Sequence, residues 1–383
     1  MKILVLTKRQ YMGKDLIDDR FGRFRELPLE LASLGHQVHG LSLSYRRRAE
    51  ICTTDSTATG EAQVHWHSIN LMRNCLPGFR KYFVLARRLI DDIQPDLIWA
   101  GSDAYHAIFG HRLVANSNIK LVIDLYDNFE SYPATKIPGT LPLFKRAVRE
   151  ADGITCVSEL LAHYVRDRYE RCKPAFVLEN AIRSDLFHPM DRKACRKLLG
   201  LPERAKIIGT AGALNKNRGI RTLYRGFQLL AAADKDLHLA VAGPRHPFSA
   251  LPHERYIHDL GVLPFEQVPV FLNSLDVAIV CNRPTAFGRY NFPQKAREIM
   301  ACGIPLVAAD VGALKEMLQD RPERLFAADD PSSLARALNM QLERPSFIDE
   351  AVPSWTDMAG RLDKFLREVA ATRTSARAQR SET

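Results

Sequence analysis

Residues Gly288 to Gly312 read G-R-Y-N-F-P-Q-K-A-R-E-I-M-A-C-G-I-P-L-V-A-A-D-V-G. Pro293 stands where a helix can begin, because its missing N–H costs nothing at the first helical position. Ala296, Ile299, Met300 and Cys302 give the next turns a small-to-apolar face, and Gly303 suits the residue after the helix end. Pro305 to Ala309 is a short apolar run of buried-strand type. The stretch therefore predicts a loop feeding a helix, and the helix feeding a buried parallel strand. A helix N-terminus offers free N–H groups and a partial positive charge, which suit an anion. Lys295 falls in the first turn, where a cation is disfavoured unless an anion sits there too. Glu298 lies about one turn deeper, facing back towards the loop. An anion clamp with one carboxylate acceptor suits a phosphate joined to a sugar. Taken alone, the same segment also fits an ordinary helix–strand unit of an α/β protein.

Outward from this stretch the chain alternates strands and helices. Lys2–Thr7 reads as a strand, followed by a polar loop to Asp19 that contains Gly13. Phe21, Phe24, Leu27, Leu31 and Leu34 recur at helical spacing, with Pro28 an awkward member that could kink the helix. Val38–Leu43 is the next strand, and residues 45–62 read as surface loop. A strand near Val64–Ile69 and a basic helix from about Arg80 to Ile93 follow. Lys120–Asp124 is a buried strand running into Leu125-Tyr126-Asp127-Asn128-Phe129-Glu130, polar residues at a strand's C-terminal end, where ligands collect in open parallel sheets. Lys173 to Pro202, rich in charges and prolines, reads as a linker. The second half repeats the alternation: strand Ile207–Ala211, the loop Gly212-Ala-Leu-Asn-Lys-Asn-Arg218-Gly219, a helix through Leu230, strand Leu237–Ala242 ending at Gly243, and a helix Phe265–Leu275 leading to strand Asp276–Cys281.

The segment Glu298-Ile-Met-Ala-Cys-Gly-Ile-Pro-Leu-Val-Ala308 resembles the donor-binding motif of the GT-B-fold retaining glycosyltransferases of group 1, whose members include glycogen synthase-like and mannosyltransferase-like enzymes. Pro293 and Lys295 match the P-x-K that often precedes its second Glu, the residue that binds the nucleotide ribose in the family. The first Glu of that motif falls at Tyr290 here. Pro95-Asp-Leu-Ile-Trp-Ala100, Ala151-Asp-Gly-Ile-Thr-Cys-Val-Ser158, Phe176–Ile182, Gly212–Gly219, Gly243-Pro244, Leu260–Pro264 and Ser354-Trp355 resemble further family segments. The likeness covers about residues 1–370. It implies two doubly wound, Rossmann-like α/β domains facing across a cleft: residues 1–183 on the acceptor side, 184–352 on the donor side, a helix at 353–370 crossing back to the first domain, and a disordered tail at 371–383.

The resemblance also implies the function, transfer of a sugar from a nucleotide-sugar to a glycan or lipid-linked acceptor with retention of anomeric configuration, in polysaccharide biosynthesis. Arg218 takes the place of the family's diphosphate-contacting Lys, and keeps the charge while adding a bidentate fork. Arg218 and Lys295 are expected to hold the leaving diphosphate, and Asp127 to contact a sugar hydroxyl or to serve as a loop or capping carboxylate. Gly13, Gly212, Asn215, Gly243, Val262, Leu263, Tyr290, Asn291, Phe292 and Glu298 are the expected donor-binding set. Lys216 could replace a family Arg that is Ala213 here, and the His that often precedes Asp127 is Tyr126. Two alternatives share the fold: a catalytically silent binding protein and a sugar-nucleotide epimerase.

Composition agrees with a soluble globular chain: 383 residues, 46% hydrophobic, 26% charged. The formal net charge of +10 is spread as +4 over residues 1–180 (25 basic, 21 acidic) and +6 over the remainder (29 basic, 23 acidic), without the lopsided basic domain of a nucleic-acid binder. Arg46-Arg47-Arg48 and Arg80, Lys81, Arg87, Arg88 are local basic patches that fit either solvated surface or a peripheral contact with anionic lipid. Cys52, Cys75, Cys156, Cys172, Cys195, Cys281 and Cys302 lack metal-site spacing, so no metal or cofactor is expected. Their odd number suggests a reducing compartment. No apolar run approaches the ~20 residues of a membrane span, and the first strand is too short for a signal peptide. A cytoplasmic location is expected.

Overall fold

The structure is a computed structural model that describes residues 1–372 except positions 12, 58, 74, 75, 172, 216, 217, 246–254, 286, 287, 291 and 293. The expected roles of Asn291, Pro293 and Lys216, and the tail from 373, lie outside the described residues. The chain divides into two compact units, Met1–Asn180 with the segment from Trp355 onward, and Ala181–Ser354.

In the first unit the strands are β1 (Lys2–Lys8), β2 (Gln37–Ser44), β3 (Ile51–Ser56), β4 (Gln63–Asn70), β5 (Leu97–Gly101), β6 (Lys120–Leu125), β7 (Gly153–Cys156) and β8 (Phe176–Val177). They form one sheet in the order β8-β7-β6-β5-β1-β2-β4-β3. Every pairing is parallel except β3 on β4, which is antiparallel. The helices α1 (Arg23–Ser33), α2 (Phe79–Ile93), α3 (Ala104–Leu113), α4 (Thr140–Glu150) and α5 (Glu159–Arg168) alternate with these strands. Ser158 caps α5 by accepting from the Leu161 N–H. Ile3 to Leu6 and Leu97 to Ala100 are wholly buried, as a parallel sheet covered on both faces requires.

The second unit holds β9 (Lys206–Ala211), β10 (Leu237–Ala242), β11 (Ile257–Asp259), β12 (Val277–Val280), β13 (Leu306–Ala309) and β14 (Leu325–Phe326). The order is β11-β10-β9-β12-β13-β14, all parallel. Its helices are α6 (Arg192–Leu199), α7 (Ile220–Ala231), α8 (Val268–Asn273), α9 (Gln294–Ala301), α10 (Ala313–Met317) and α11 (Pro331–Glu343). Alternate strand residues enter two apolar layers: Ile207, Ala240, Ala278, Leu306 and Ala308 on one face, Ile208, Leu239, Ile279 and Val307 on the other. Two-sided burial is why these strands read as continuous apolar runs. A last helix, α12 (Trp355–Ala371), belongs to the first unit, where His36 Nε2 stands 2.6 Å from Asp363 and the Phe176 and Phe365 rings stack at 4.9 Å.

Three expectations are corrected. Residues 45–62 contain β3, a half-buried edge strand whose Thr and Ser residues carry little apolar signal. The segment taken as a linker contains α6, capped by Asp191 and closed by Gly200 at φ 65°, with Arg196 buried and bonded to Asp276 and to the carbonyls of Ser274, Glu203 and Ala205. Helix α1 contains Pro28, as expected. The helix expected over 265–275 is a 3₁₀ turn, Phe265–Gln267, followed by α8.

One buried ion pair ties the first unit together. Arg23, at the start of α1, donates to both oxygens of Asp124 in β6 at 2.9 and 2.8 Å, and also to the Asn180 side chain at 3.2 Å. Asp124 further accepts from the Thr155 hydroxyl in β7. Both charges are 0–1% exposed. Removing one partner strands the other charge in a dry interior. Arg23→Met should therefore destabilise the protein by about 3–5 kcal/mol in urea denaturation, and adding Asp124→Leu should recover part of that loss; a loss below ~1 kcal/mol would show that the pair does not hold the unit together.

Candidate donor site

The C-terminal ends of the second unit's parallel strands bring the motif residues together. β9 ends at Ala211 and the chain turns at Gly212, whose N–H donates to Ala242 O at 2.8 Å. Gly212 has φ 112°, and a Cβ there would stand 2.8 Å from Lys295 Nζ. The glycine thus lets the Lys295 ammonium, carried on the first turn of α9, lie directly on the loop backbone. Gly243, at φ 138°, ends β10; a Cβ on it would stand 2.1 Å from Gly212 O, so both turns need glycine to pack. Asn282 follows β12, and its Oδ1 accepts from Arg218 Nη1 at 3.1 Å. Because a guanidinium only donates, that bond fixes which end of the amide is oxygen. The Nδ2 end is buried without a partner among the described residues.

Charge is unevenly compensated here. Burial pushes the Lys295 pKa down to about 8, and the neighbouring Arg218 pushes the same way against the opposing pull of Glu298. Burial pushes the Glu298 carboxyl up to about 7, with Lys295 and the Gln294 amide opposing; Gln294 Nε2 donates to Glu298 Oε1 at 3.1 Å. Cys281, buried beside Lys295, is pushed up to about 12 by desolvation and stays a thiol. Two cations and one poorly ionised carboxyl thus gather at the end of a parallel sheet, a combination whose chemistry suits an anion.

The remaining expected residues fall as follows. Asn215 closes the loop onto Arg218, accepting from its N–H through both backbone and side-chain oxygens. Val262 is 64% exposed, whereas Leu263 packs on the apolar layer of Ile207 and Ala240. Tyr290 is half-buried; Phe292 is buried, with the Arg297 guanidinium 4.9 Å from its ring centroid. Glu316 is exposed, on α10.

Gly13 and Asp127 belong to the first unit. Gly13, at φ 87°, lies in the exposed turn between the two-residue strands Gln10–Tyr11 and Lys14–Asp15. Asp127 is buried after β6 and accepts from Tyr132 Oη at 2.9 Å and from the Asn128 N–H at 2.8 Å. Lys8, at the end of β1, lies 5.3 Å from the Tyr132 ring centroid; burial lowers its pKa while Asp103 and Asp127 pull it up. Burial pushes Asp103 up, but His106, Lys8 and the Tyr45 hydroxyl outweigh it and hold that carboxyl at about 2.

The family model described as glycosyl transferases group 1 matches residues 205–344, and that described as glycosyltransferase family 4 matches residues 23–186. The chain belongs to the group 1 glycosyltransferases. Among relatives of this family, the D-inositol 3-phosphate glycosyltransferase of Stackebrandtia nassauensis is 28% identical over 61% of this chain and 54% of its own length. The lipopolysaccharide core biosynthesis mannosyltransferase LpsB of Rhizobium meliloti is 27% identical over 50% of this chain and 56% of its own. The chain thus spans about half the length of the curated relatives it matches. GT-B glycosyltransferase structures share the fold: the sucrose-phosphate synthase of Thermosynechococcus elongatus superposes with a TM-score of 0.75 at 18% identity, covering 96% of this chain and 98% of that one. HepE of Anabaena, in complex with UDP and glucose, superposes with a TM-score of 0.69 at 16% identity, covering 96% and 99%.

Sequence reasoning about this group 1 chain passed over Lys8, Asp103 and Asn282. Each lies at the end of a buried strand or two residues beyond it, so a polar residue at that position was the available signal. The raised Glu298 pKa has a measurable consequence. A group whose pKa folding raises favours the folded state at low pH, and loses that contribution as pH climbs through the folded value. Glu298→Gln should equal wild type in stability below pH 4.5, the ordinary value, and exceed it increasingly up to about 7; parallel urea curves across that window check this, and a pH-independent difference would refute the shift.

Proposed function

We propose that this chain transfers a sugar from a nucleoside diphosphate sugar, held by its second unit, to a hydroxyl of a glycan or lipid-linked acceptor held by its first. The observation that carries this reading is the Lys295 ammonium on the Gly212 backbone with Arg218 beside it. That pair suits a diphosphate, and the UDP bound by HepE, a protein of this fold, supports the same ligand class. Glu298 would accept from ribose hydroxyls, and Asn215, Gly243, Val262, Leu263 and the 290–292 backbone would surround the rest of the donor.

The chemistry asks for charge stabilisation. The bond from the anomeric carbon to the diphosphate oxygen breaks, the acceptor oxygen bonds to that carbon on the same face, and the acceptor's proton passes to the leaving phosphate. Retention of configuration follows from that same-face path. Negative charge grows on the leaving oxygens, so Arg218 and Lys295 tighten their hold as the bond breaks. The two cations can carry that charge without a metal ion. In the first unit, Asp127, Lys8 and Asp103 would orient acceptor hydroxyls, and Gly13 is retained as a proposed donor contact. Among the described residues no helix is long and apolar enough to cross a membrane. We extend the proposal to a cytoplasmic protein touching anionic lipid through the exposed Arg80, Lys81, Val84, Arg87 and Arg88 of α2; failure to co-sediment with anionic vesicles at low salt would remove that contact.

A nucleoside diphosphate alone should stabilise the protein, by about 2.7 kcal/mol at 100 times its Kd. A thermal-shift panel of UDP, GDP and ADP checks this, and no shift at millimolar concentration with any of them would overturn the donor site. Glu298→Ala should weaken nucleotide binding about tenfold or more, and Glu316→Ala should leave it unchanged.

Arg218→Ala or Lys295→Ala should lower the turnover number by roughly 100- to 1000-fold, more than either raises the Michaelis constant, with Arg218→Lys restoring part. The same assay should run unchanged under excess chelator. Variants that keep their turnover number, or activity restored only by added Mg or Mn, would remove this mechanism.

A further inference from the structure

A second charged cavity lies in the same unit, lined by Gly219, Arg221, Thr222, Arg225, Arg283, Asp329 and Pro331, with a volume of about 220 Å³. Arg218, Asn282, Lys295 and Glu298 are not among its walls. Arg283 Nε donates to both oxygens of Asp329 at 2.9 and 3.0 Å, so the single carboxylate is already neutralised. Arg221 and Arg225, one turn apart on α7, have no acidic partner among the described residues. The cavity therefore carries an excess of two positive charges.

Two further observations point to a ligand. Helix α7 is 12 residues long and begins at Gly219 in the left-handed region, φ 65°, with no side chain capping its first turn. Its first N–H groups and its dipole face the same end as the arginines. Thr222 is only 6% exposed and lines the cavity, and its hydroxyl has no partner among the described residues. A hydroxyl in that wall adds a donor for an anion beside the guanidinium groups. The opposing helix α11 spends its own first turn internally, since Asp330 accepts from the N–H groups of Ser332 and Ser333 and Pro331 has none to offer. The receptor side of this cavity is thus α7 and Arg283.

We propose that this cavity is an anion site, separate from the diphosphate clamp, that takes a phosphate dianion, as the free ion or as a small phosphomonoester. Planar guanidinium forks match phosphate oxygens two at a time, the Thr222 hydroxyl donates to a third, and the α7 N-terminus favours the charge. The volume is below the ~300–1,000 Å³ of pockets that enclose drug-sized ligands, which fits a phosphate bearing a small organic group and excludes a whole nucleotide-sugar.

Calorimetric titration of inorganic phosphate and of glycerol 3-phosphate tests the site on four proteins: wild type, Arg221→Ala/Arg225→Ala, Thr222→Val, and Lys295→Ala. Lys295→Ala should keep phosphate binding at the α7 cavity, losing at most what the diphosphate clamp itself takes up. The double Ala variant should bind about tenfold or more weakly, and Thr222→Val about fivefold more weakly with an unchanged melting temperature. Both arginines are exposed on a helix whose buried face is untouched, so the variant should fold. Tighter binding of glycerol 3-phosphate than of phosphate identifies an ester as the source; equal binding identifies the free ion. The inference is overturned if wild type binds neither at millimolar concentration, or if binding is lost in Lys295→Ala and kept in the double Ala variant, which would assign the phosphate to the diphosphate clamp. Neither result depends on detecting sugar transfer, so failure here is distinguishable from failure of the proposed reaction.

Discussion

The contact between the Lys295 ammonium and the Gly212 backbone is the constraint on which the second unit's site depends. It places a cation where burial costs it protonation, beside a second cation, Arg218, that deepens the cost. Glu298 offsets little of this, because burial raises its own pKa to about 7. Two cations thus stand close together at the sheet edge, which is the setting the proposed diphosphate would relieve. The demand for glycine comes from backbone φ of 112° at 212 and, one strand over, from φ of 138° and the close approach of the Gly212 carbonyl at 243.

The first unit manages charge in the opposite way. Arg23 is saturated by Asp124 and Asn180. Arg9 is paired with Asp15 and Asp18. Lys8 sits between the fields of Asp103 and Asp127. Near its strand ends the cations are already compensated, and tyrosine hydroxyls and rings complete the setting. Compensated charge with hydroxyl donors suits neutral, hydroxyl-bearing ligands, just as a pair of neighbouring cations suits phosphate. The two units share one architecture, and the difference in charge balance at their strand ends supports the division of labour proposed for them.

Much of the candidate donor site was legible because each of its two motifs is compact in sequence and its geometry is repetitive. A buried parallel strand, a glycine turn and a helix start follow one another at spacings set by backbone geometry alone, so Gly212, Arg218, Lys295 and Glu298 could be named from the string. The edge strand β3 was not legible, since its half-buried Thr and Ser residues carry almost no apolar contrast. Helix α6 was hidden in a charged segment because its stabilisation comes from Arg196 reaching Asp276 and the Ser274 carbonyl, some eighty residues away.

The sequence by itself determined the alternation of strands and helices, the two-domain α/β class and the motif loops, because hydrophobic period, glycine and proline act locally. Only the tertiary structure decided that Asn282 holds Arg218, that Lys295 rests on Gly212, that Asp127 is engaged by Tyr132, and that Arg221, Thr222, Arg225 and Arg283 surround one cavity. Apart from the short-range Asp127–Tyr132 bond, those facts concern distances between residues far apart in the chain. Burial and charge proximity, which set the pKa of Lys295 and Glu298, exist only once the sheet has brought its strand ends to one edge.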